Sequence, residues 1–466
     1  MKQDFLKYQA QTTPYPLAME ISFAKGSYIY DTNNKKYLDF VAGVSACALG
    51  HQHQRVNEAI KKQLDLYSHV MVYGEYAQSP AVEYCKLLVS LLPPQLNKIY
   101  LINSGTEACE GALKLARRIT GRSQLISCHN AYHGNTMGSM SVMGFEERKQ
   151  VFRPLIPDVD FITFNKEADI QKITTKTAGI ILESIQGGAG FIQPTNDFLS
   201  KVKKRCEEVG ALLIIDEIQP GFGRTGKLFG FENYNVIPDV IIIGKGMGGG
   251  MPVGAFVAKE EYMDLLADNP KLGHITTFGG HPVIAAACLA TLKEIIETDL
   301  IPQTLEKEKL FRELLVHPLI QEVRGIGLML AIMTSSAEIT NQIVFKCQDK
   351  GLILFWLLFE PCAVRITPPL TISKQEIREG CAIIIEALNE IIIFPNPTND
   401  FLNINNLMDS IDCYIEIIDL KGSKILSKQL NSENSKVYVG DINQGLYMVK
   451  IEKNGVVIFS SKFIKN

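Results

Sequence analysis

The chain has 466 residues, 46% of them hydrophobic, and a formal net charge of -3. That length predicts two or three domains, and the near-neutral balance excludes the strongly basic surface of a nucleic-acid-binding protein. Its ten cysteines include no C-x-x-C pair, so neither a zinc site nor a disulfide framework is indicated, and their scatter fits a reducing compartment.

In chain order, Met1–Gln11 has no apolar run of signal-peptide length, and no window is long and apolar enough to span a membrane. Residues 20–40 predict a small hairpin with Asp31-Thr32-Asn33-Asn34 as its turn. Residues 56–285 alternate strand-like and helix-like stretches, the pattern of a mostly parallel sheet covered on both faces. Within them Ile99-Tyr100-Leu101-Ile102 reads as a strand. Ser104 and Glu107 follow at capping-box spacing, and Ala108, Ala112 and Leu115 then recur on one helical face. A strand, a Ser-Gly-Thr turn and a helix N-terminus can bind an anion through free amides and the helix dipole, with Gly105 allowing close approach. An ordinary capped helix is the alternative.

Two buried strands follow. Ala211-Leu212-Leu213-Ile214-Ile215 ends in Asp216 and Glu217, and Val240-Ile241-Ile242-Ile243 ends in Gly244-Lys245 before a glycine-rich turn. Ligands of open parallel sheets collect outside the carboxyl ends of the strands, so Asp216 and Lys245 are predicted to open onto one crevice. Desolvation lowers a lysine's pKa, and the neutral amine is a nucleophile toward carbonyls. A carboxylate facing such a lysine across a flat cofactor is the arrangement used with pyridoxal phosphate, where the acid keeps the pyridine nitrogen protonated. Singly, Lys245 also reads as a solvated charge and Asp216 as a cap or loop acid.

Farther on, residues 286–330 predict a long helix and the segment Arg324-Gly325-Ile326-Gly327, then a strand. Residues 340–390 predict a helix, a strand, Arg365 and a final helix. The most apolar stretch, Gly351–Phe359, reads as a buried strand near the substrate site. Beyond Glu390 the chain becomes a series of short alternating strands, such as Tyr414–Ile418 and Leu446–Ile451, separated by polar turns: a small all-β module. No internal repeats are present.

The blocks Asn103-Ser104-Gly105-Thr106-Glu107-Ala108, Tyr132-His133-Gly134, Glu183–Gly190, Asp216-Glu217-Ile218-Gln219 through Gly226, Lys245, Thr277-Phe278-Gly279-Gly280 and Arg365-Ile366-Thr367-Pro368-Pro369 stand in a telling order. Together they resemble the class III pyridoxal-phosphate-dependent aminotransferases of the acetylornithine, 4-aminobutyrate and putrescine kind. The resemblance runs from about residue 15 to about residue 390. It implies an α/β protein of PLP fold type I: a large domain on a mostly parallel sheet, and an α+β small domain. The implied boundaries are 56–289 for the PLP-binding domain, 1–55 and 290–391 for the two parts of the small domain, and 392–466 for the β-rich module.

The resemblance also implies roles. Lys245 corresponds to the Schiff-base lysine that shuttles the proton, and Asp216 to the pyridinium partner. Ser104, Gly105 and Thr106 correspond to the phosphate cradle. Tyr132 corresponds to the aromatic stacked on the ring, with His133 beside it. Gln219 and Glu183 correspond to groups near the ring hydroxyl. Thr277 corresponds to a hydroxyl that reaches the cofactor phosphate of a neighbouring subunit, which implies a homodimer with shared active sites; Thr276 is the fallback. Arg365 corresponds to the arginine that grips a substrate carboxylate through two parallel hydrogen bonds. No metal is implied. The implied partners are an amine donor, an amino acid or ω-amine, and a 2-oxo acid acceptor.

Three departures bear on the substrate. Gly188 stands where ornithine- and 4-aminobutyrate-type relatives carry a glutamate that masks the arginine. Val44 stands where ornithine aminotransferases carry a substrate-binding tyrosine. His281 replaces an asparagine, and Gln54 a proline. The stretch Asn269–Thr277 is similar to the putrescine branch. The last 75 or so residues resemble a type IX secretion sorting domain in their Pro-Asn-Pro-Thr start, Asp419-Leu420-Lys421-Gly422 turn, Gly445-Leu446-Tyr447 strand and basic end. Such a tail serves export, whereas the N-terminus shows no export signal. The expected location is therefore cytoplasmic, with secretion or cell-surface attachment as the alternative. The rival functions are a repurposed binding protein carrying an attachment tail, or a same-fold aminomutase or racemase.

Overall fold

A computed structural model describes residues 1–195, 197–390, 393–394, 398–404, 413–430, 436–453 and 455–466. A seven-stranded sheet organises the first part. Its spatial order is 98–102, 254–258, 240–244, 212–216, 177–183, 124–128 and 159–162. Gly254–Ala258 runs antiparallel to both of its neighbours, and the pairings from 240–244 through 159–162 are parallel. Thr177–Glu183, Leu212–Asp216, Val240–Gly244 and Gly254–Ala258 are buried at every residue. Helices cover both faces of such a sheet, which is why these strands are runs of branched apolar residues and do not alternate.

The parallel register sets the site. Glu183 lies opposite Asp216, Asp216 opposite Ile242, and the third strand ends two residues later at Gly244. Glu183, Asp216 and Lys245 thus leave the sheet side by side at its carboxyl edge.

The predicted hairpin near the N-terminus forms from Tyr28–Asp31 and Lys36–Asp39, with Ile21–Lys25 added on one side. Leu352–Ile353 pairs in parallel with Lys36–Asp39, so distant parts of the chain share this small sheet. A second small sheet has the order 322–326, 329–333, 363–366, 355–356. Arg365 sits in its third strand, opposite Ala331 and Phe355.

Three local expectations are corrected. The apolar run 351–359 is not one strand: Leu352–Ile353 and Phe355–Trp356 join different sheets, because one extended run cannot complete both edges. The long helix is two, Pro282–Glu297 and Leu300–Leu314, broken where Thr298 turns extended. Arg324-Gly325-Ile326 lies inside the strand Glu322–Ile326, with Gly327 after it. The C-terminal module is all-β, as predicted. Its four-stranded sheet, in the order 424–430, 413–418, 445–453, 456–465, and its three-stranded sheet share a core that includes Leu402, Ile415, Val437, Val449 and Phe463. Pro395-Asn396-Pro397 lies outside the described residues.

Candidate active site

A cavity of about 440 Å³ opens at the carboxyl edge of the large sheet. Its wall includes Val44, Gly105, Thr106, Tyr132, His133, Glu183, Asp216, Gln219, Lys245 and Arg365. Ten of the twelve predicted site residues therefore meet in one hollow, although they span the chain from 44 to 365. The other two, Ser104 and Thr277, are not part of that wall.

Asp216 is buried and its two oxygens are divided. Oδ1 accepts the Ile218 amide at 2.9 Å, and Oδ2 lies 2.7 Å from Nδ1 of the buried His133. A carboxylate can only accept there, which places a proton on Nδ1. The far nitrogen of His133 lies 3.4 Å from the Ser127 hydroxyl. The histidine thus anchors the acid and fixes its direction. His133 and Asp216 are 83 positions apart in sequence, so spacing alone could not have paired them.

Lys245 opens a 3-10 turn and has φ 43, a left-handed conformation that a side chain adopts only under constraint. Its amine is pulled down to about 8, first by burial and then by the Arg365 charge, against the opposing pull of Asp216 and Glu183. A useful fraction is neutral near pH 7 to 8 as a result. Glu183 is pushed up to about 7, mainly by burial, while its oxygens accept the amides of Gly187 at 2.9 Å and Tyr132 at 3.3 Å. Glu217, which follows Asp216 just past the end of its strand, is not part of the cavity wall. It is pushed up to about 8 by burial and accepts the Gly230 and Phe231 amides at 2.6 and 2.8 Å.

Ser104 caps the helix Gly105–Thr120 by accepting the Glu107 amide at 3.3 Å. The reciprocal half of the predicted box is displaced by one residue: Glu107 accepts the Asn103 amide at 2.9 Å. The cap occupies the Ser104 hydroxyl and leaves the first-turn amides of Gly105 and Thr106 on the cavity wall. Glycine at 105 leaves room for Ile218, whose Cδ1 would lie 2.7 Å from a Cβ there. Gln219 donates to the Ser45 hydroxyl at 3.3 Å. Thr277 is exposed, and Thr276 accepts from the Asn103 side chain at 2.8 Å.

Arg365 is 3% exposed, and its Nε and Nη1 have no hydrogen-bond partner among the described residues. Its guanidinium carbon stands 5.6 Å from the Phe191 ring centre, and burial brings its pKa down to about 10. A buried guanidinium with two free donors is costly unless a ligand anion completes it. Ile218 and Pro220, inside one of the sequence blocks, also line the cavity, as do Asn135, Phe355, Trp356 and Leu358, for which the sequence suggests no role. Asn135 follows the block Tyr132-His133-Gly134, and Phe355, Trp356 and Leu358 belong to the apolar run that divides between two sheets.

A family model described as Aminotransferase class-III matches residues 8–388. The chain belongs to the class III aminotransferases. Acetylornithine aminotransferase from Methanopyrus kandleri is 35% identical over 78% of this chain and 92% of its own length. The LysW-aminoadipate semialdehyde/glutamate semialdehyde transaminase of Sulfolobus acidocaldarius is 35% identical over 80% and 95%. Among solved structures, ornithine aminotransferase from Toxoplasma gondii superposes with a TM-score of 0.77 at 28% identity, covering 83% of this chain and 95% of that one. A second structure of that enzyme is described with partial occupancy of PLP at its active site. This aminotransferase is accordingly a pyridoxal-phosphate-dependent enzyme of fold type I. The binding-protein, aminomutase and racemase alternatives are not favoured. The cavity suits the cofactor: it offers a fixed buried carboxylate, an amine of lowered pKa, an aromatic wall in Tyr132 and helix N-terminal amides.

A second family model, described as Secretion system C-terminal sorting domain, matches residues 392–466. This fits the exported or cell-surface alternative; the cytoplasmic expectation gains no support. Among the described residues no helix is long and apolar enough to cross a membrane.

Proposed function

We propose that transamination runs in this cavity with Lys245 as the nucleophile and proton carrier and Asp216 as the electrostatic partner of the cofactor ring. The observation that carries the reading is the shared hollow: the amine of lowered pKa, the His133-anchored carboxylate and an arginine with two free donors all line it. Pyridoxal phosphate, when bound, supplies a carbonyl that accepts the amino group and an electron-accepting ring.

The residues then divide the work. The Gly105 and Thr106 amides hold the phosphate at the helix N-terminus. Tyr132 covers one ring face. Asp216, fixed by His133 and the Ile218 amide, keeps a negative charge against the ring nitrogen without reorganising. Lys245, neutral in part at physiological pH, takes the proton from the donor carbon and holds it at Nζ for return. Glu183 and Gln219 would meet the ring hydroxyl, and Gln219 is steadied by Ser45. Arg365 receives the substrate carboxylate, and Val44 lies against the substrate. Thr277 serves the neighbouring subunit of a homodimer; exposed Phe278 beside it, at 53%, supports an interface there.

The test is Lys245→Ala. It is expected to abolish turnover and the visible absorbance that the lysine-bound cofactor gives. Normal transamination by that variant would overturn the assignment.

A further inference from the structure

Resting on the reading that Arg365 receives the substrate carboxylate, we propose that Arg224 is the positioning residue for that grip. It ties the loop that leaves the Asp216 strand to the strand that carries Arg365, and so fixes the spacing between the reacting end of the cavity and its carboxylate end.

Arg224 lies on the loop after the strand Leu212–Asp216 and is 2% exposed. Its Nη1 donates to the Leu328 carbonyl at 3.2 Å and also to the Pro368 carbonyl. The two hydrogens of one nitrogen thus take two acceptors. Leu328 joins the strands Glu322–Ile326 and Met329–Met333, and Pro368 follows the strand Ala363–Ile366. Met329–Met333 and Ala363–Ile366 are hydrogen-bonded neighbours, with Leu330 opposite Ile366 and Ala331 opposite Arg365. One guanidinium therefore grips both strands at the same end, next to Arg365.

The backbone makes the same connection. The Leu328 amide donates to the Arg224 carbonyl at 2.8 Å, and the approach is so close that a Cβ at Gly327 would lie 2.4 Å from that oxygen. The Thr304 hydroxyl donates to the Gly223 carbonyl at 3.2 Å. On its other side the segment after Arg365 is held to the loop that carries Val44: the Thr367 amide donates to the Phe40 carbonyl at 2.7 Å, and the Leu370 amide to the Ala48 carbonyl at 2.8 Å. The Pro368 carbonyl between them is the one that Arg224 holds. Gly223, Arg224, Leu328, Thr367 and Pro368 are all buried within one chain, so the clamp is complete before any subunits meet.

Packing alone does not favour a guanidinium here. Its Nη2 has no hydrogen-bond partner among the described residues, and its pKa is brought down to about 9, first by burial and also by the Arg365 charge, against the pull of Cys47. An apolar side chain of similar length would fill the joint without that cost. It would lack the pair of directed bonds. Those bonds connect the two places that one substrate molecule must span, since its amine reacts at Lys245 while its carboxylate rests on Arg365. Arg224 is not part of the cavity wall and touches neither end of the substrate. A small shift of Arg365 would leave the amine chemistry in place and weaken the hold on the carboxylate.

The experiment is a single half-reaction on the full-length holoenzyme. The visible absorbance of the lysine-bound cofactor is followed while the protein reacts with matched amines: 4-aminobutyrate against butylamine, and L-alanine against ethylamine. The members of each pair differ by one carboxylate. The readout is the ratio of their two second-order rate constants on one preparation, from which any loss of folded or loaded protein cancels. The parent is expected to prefer the carboxylate-bearing member of at least one pair by about tenfold or more. Arg224→Met should lower that ratio by about tenfold. Arg224→Lys keeps the charge, but its amine ends one bond short of Nη1, and it should lower the ratio by a similar factor. Should the methionine variant not hold the cofactor, the lysine variant decides. A parental ratio in Arg224→Lys, or an equal loss for both members of each pair, overturns the positioning role and leaves the transaminase reading in place. A parent without preference for the carboxylate overturns the Arg365 grip and the role of Arg224 with it. A parent that reacts with no amine overturns the transaminase reading itself.

Discussion

Replacing Lys245 by methionine should make the cofactor-free protein more stable. Methionine keeps the length and apolar stem of lysine but removes the amine from the cavity. The amine's pKa falls from its ordinary 10.5 to about 8 in the folded chain, with burial as the largest cause. At about 1.36 kcal/mol for each tenfold change in proton affinity, that fall corresponds to roughly 3 kcal/mol. Water in the open cavity relieves part of it, so the expected gain is about 1–3 kcal/mol at pH 7. The sign follows from linkage. Below pH 8 the folded protein must hold the lysine charged, and the penalty is present in full. Above 10.5 the unfolded chain also loses the proton, and the penalty is gone. The stability gap between the variant and the parent should therefore shrink to about a quarter of its size by pH 10. Urea unfolding of both cofactor-free proteins at pH 7 and pH 10 measures it, and comparison with the parent cancels the other titrating groups. A variant no more stable than the parent at pH 7, or a gap that does not change with pH, would refute the idea that the cavity holds this lysine against a desolvation penalty.

Two further outcomes follow from the packing around the cavity. Asp39 Oδ1 accepts the Val41 and Ala42 amides at 2.8 and 2.9 Å, and its Oδ2 lies 2.9 Å from His51, whose pKa Asp39 helps push up to about 9. Asp39→Asn should lower stability by about 1–3 kcal/mol and raise KM more than it lowers kcat, because the loop it holds carries Val44; steady-state kinetics alongside thermal melts would separate the two effects. Gly188→Ala meets the Phe359 ring carbons at 2.7 and 2.9 Å, and should destabilise the protein by about 1–3 kcal/mol in urea unfolding while lowering kcat/KM.

The parts of the site that chain order can reveal were legible. A branched apolar run followed by Asp216, and another followed by Gly244-Lys245, name two parallel strands, and the carboxyl-edge rule then puts both side chains in one crevice. The large sheet and the β-rich tail followed from the same period arguments. What sequence could not reach were contacts that depend on how distant segments meet. His133 bonds Asp216 across 83 positions, and Gln219 bonds Ser45 across 174. The run Gly351–Phe359 has one hydrophobic pattern but two strand partners, and hydropathy cannot say where such a run divides. The Ser104–Glu107 spacing predicted reciprocal capping, yet Glu107 reaches the neighbouring Asn103 amide, a choice among adjacent donors that spacing does not make. Thr277 lies off the cavity wall of the single chain, and nothing in its spacing from Lys245 shows where it reaches.

Several departures from ordinary folding rules meet at this cavity. Ala42, Gly43, Val44 and Ser45 all have φ between 48 and 69, and for a β-branched residue such as Val44 that is a true outlier. Lys245 is left-handed as well, at φ 43. Arg365 is buried with donors unused, and Glu183 is buried beside a second acid. Folding alone favours none of these, and each would be relieved by a milder residue or a relaxed backbone. Their common feature is that all of them line one hollow or hold its lining in place. Positive φ also occurs elsewhere, at Tyr73, Asp158 and Leu272 among others, so it is the unbroken run at 42–45 together with the buried charges that marks this cavity. Groups already fixed and already desolvated need not rearrange when charge develops, which is what preorganisation for a charged, flat reaction partner requires.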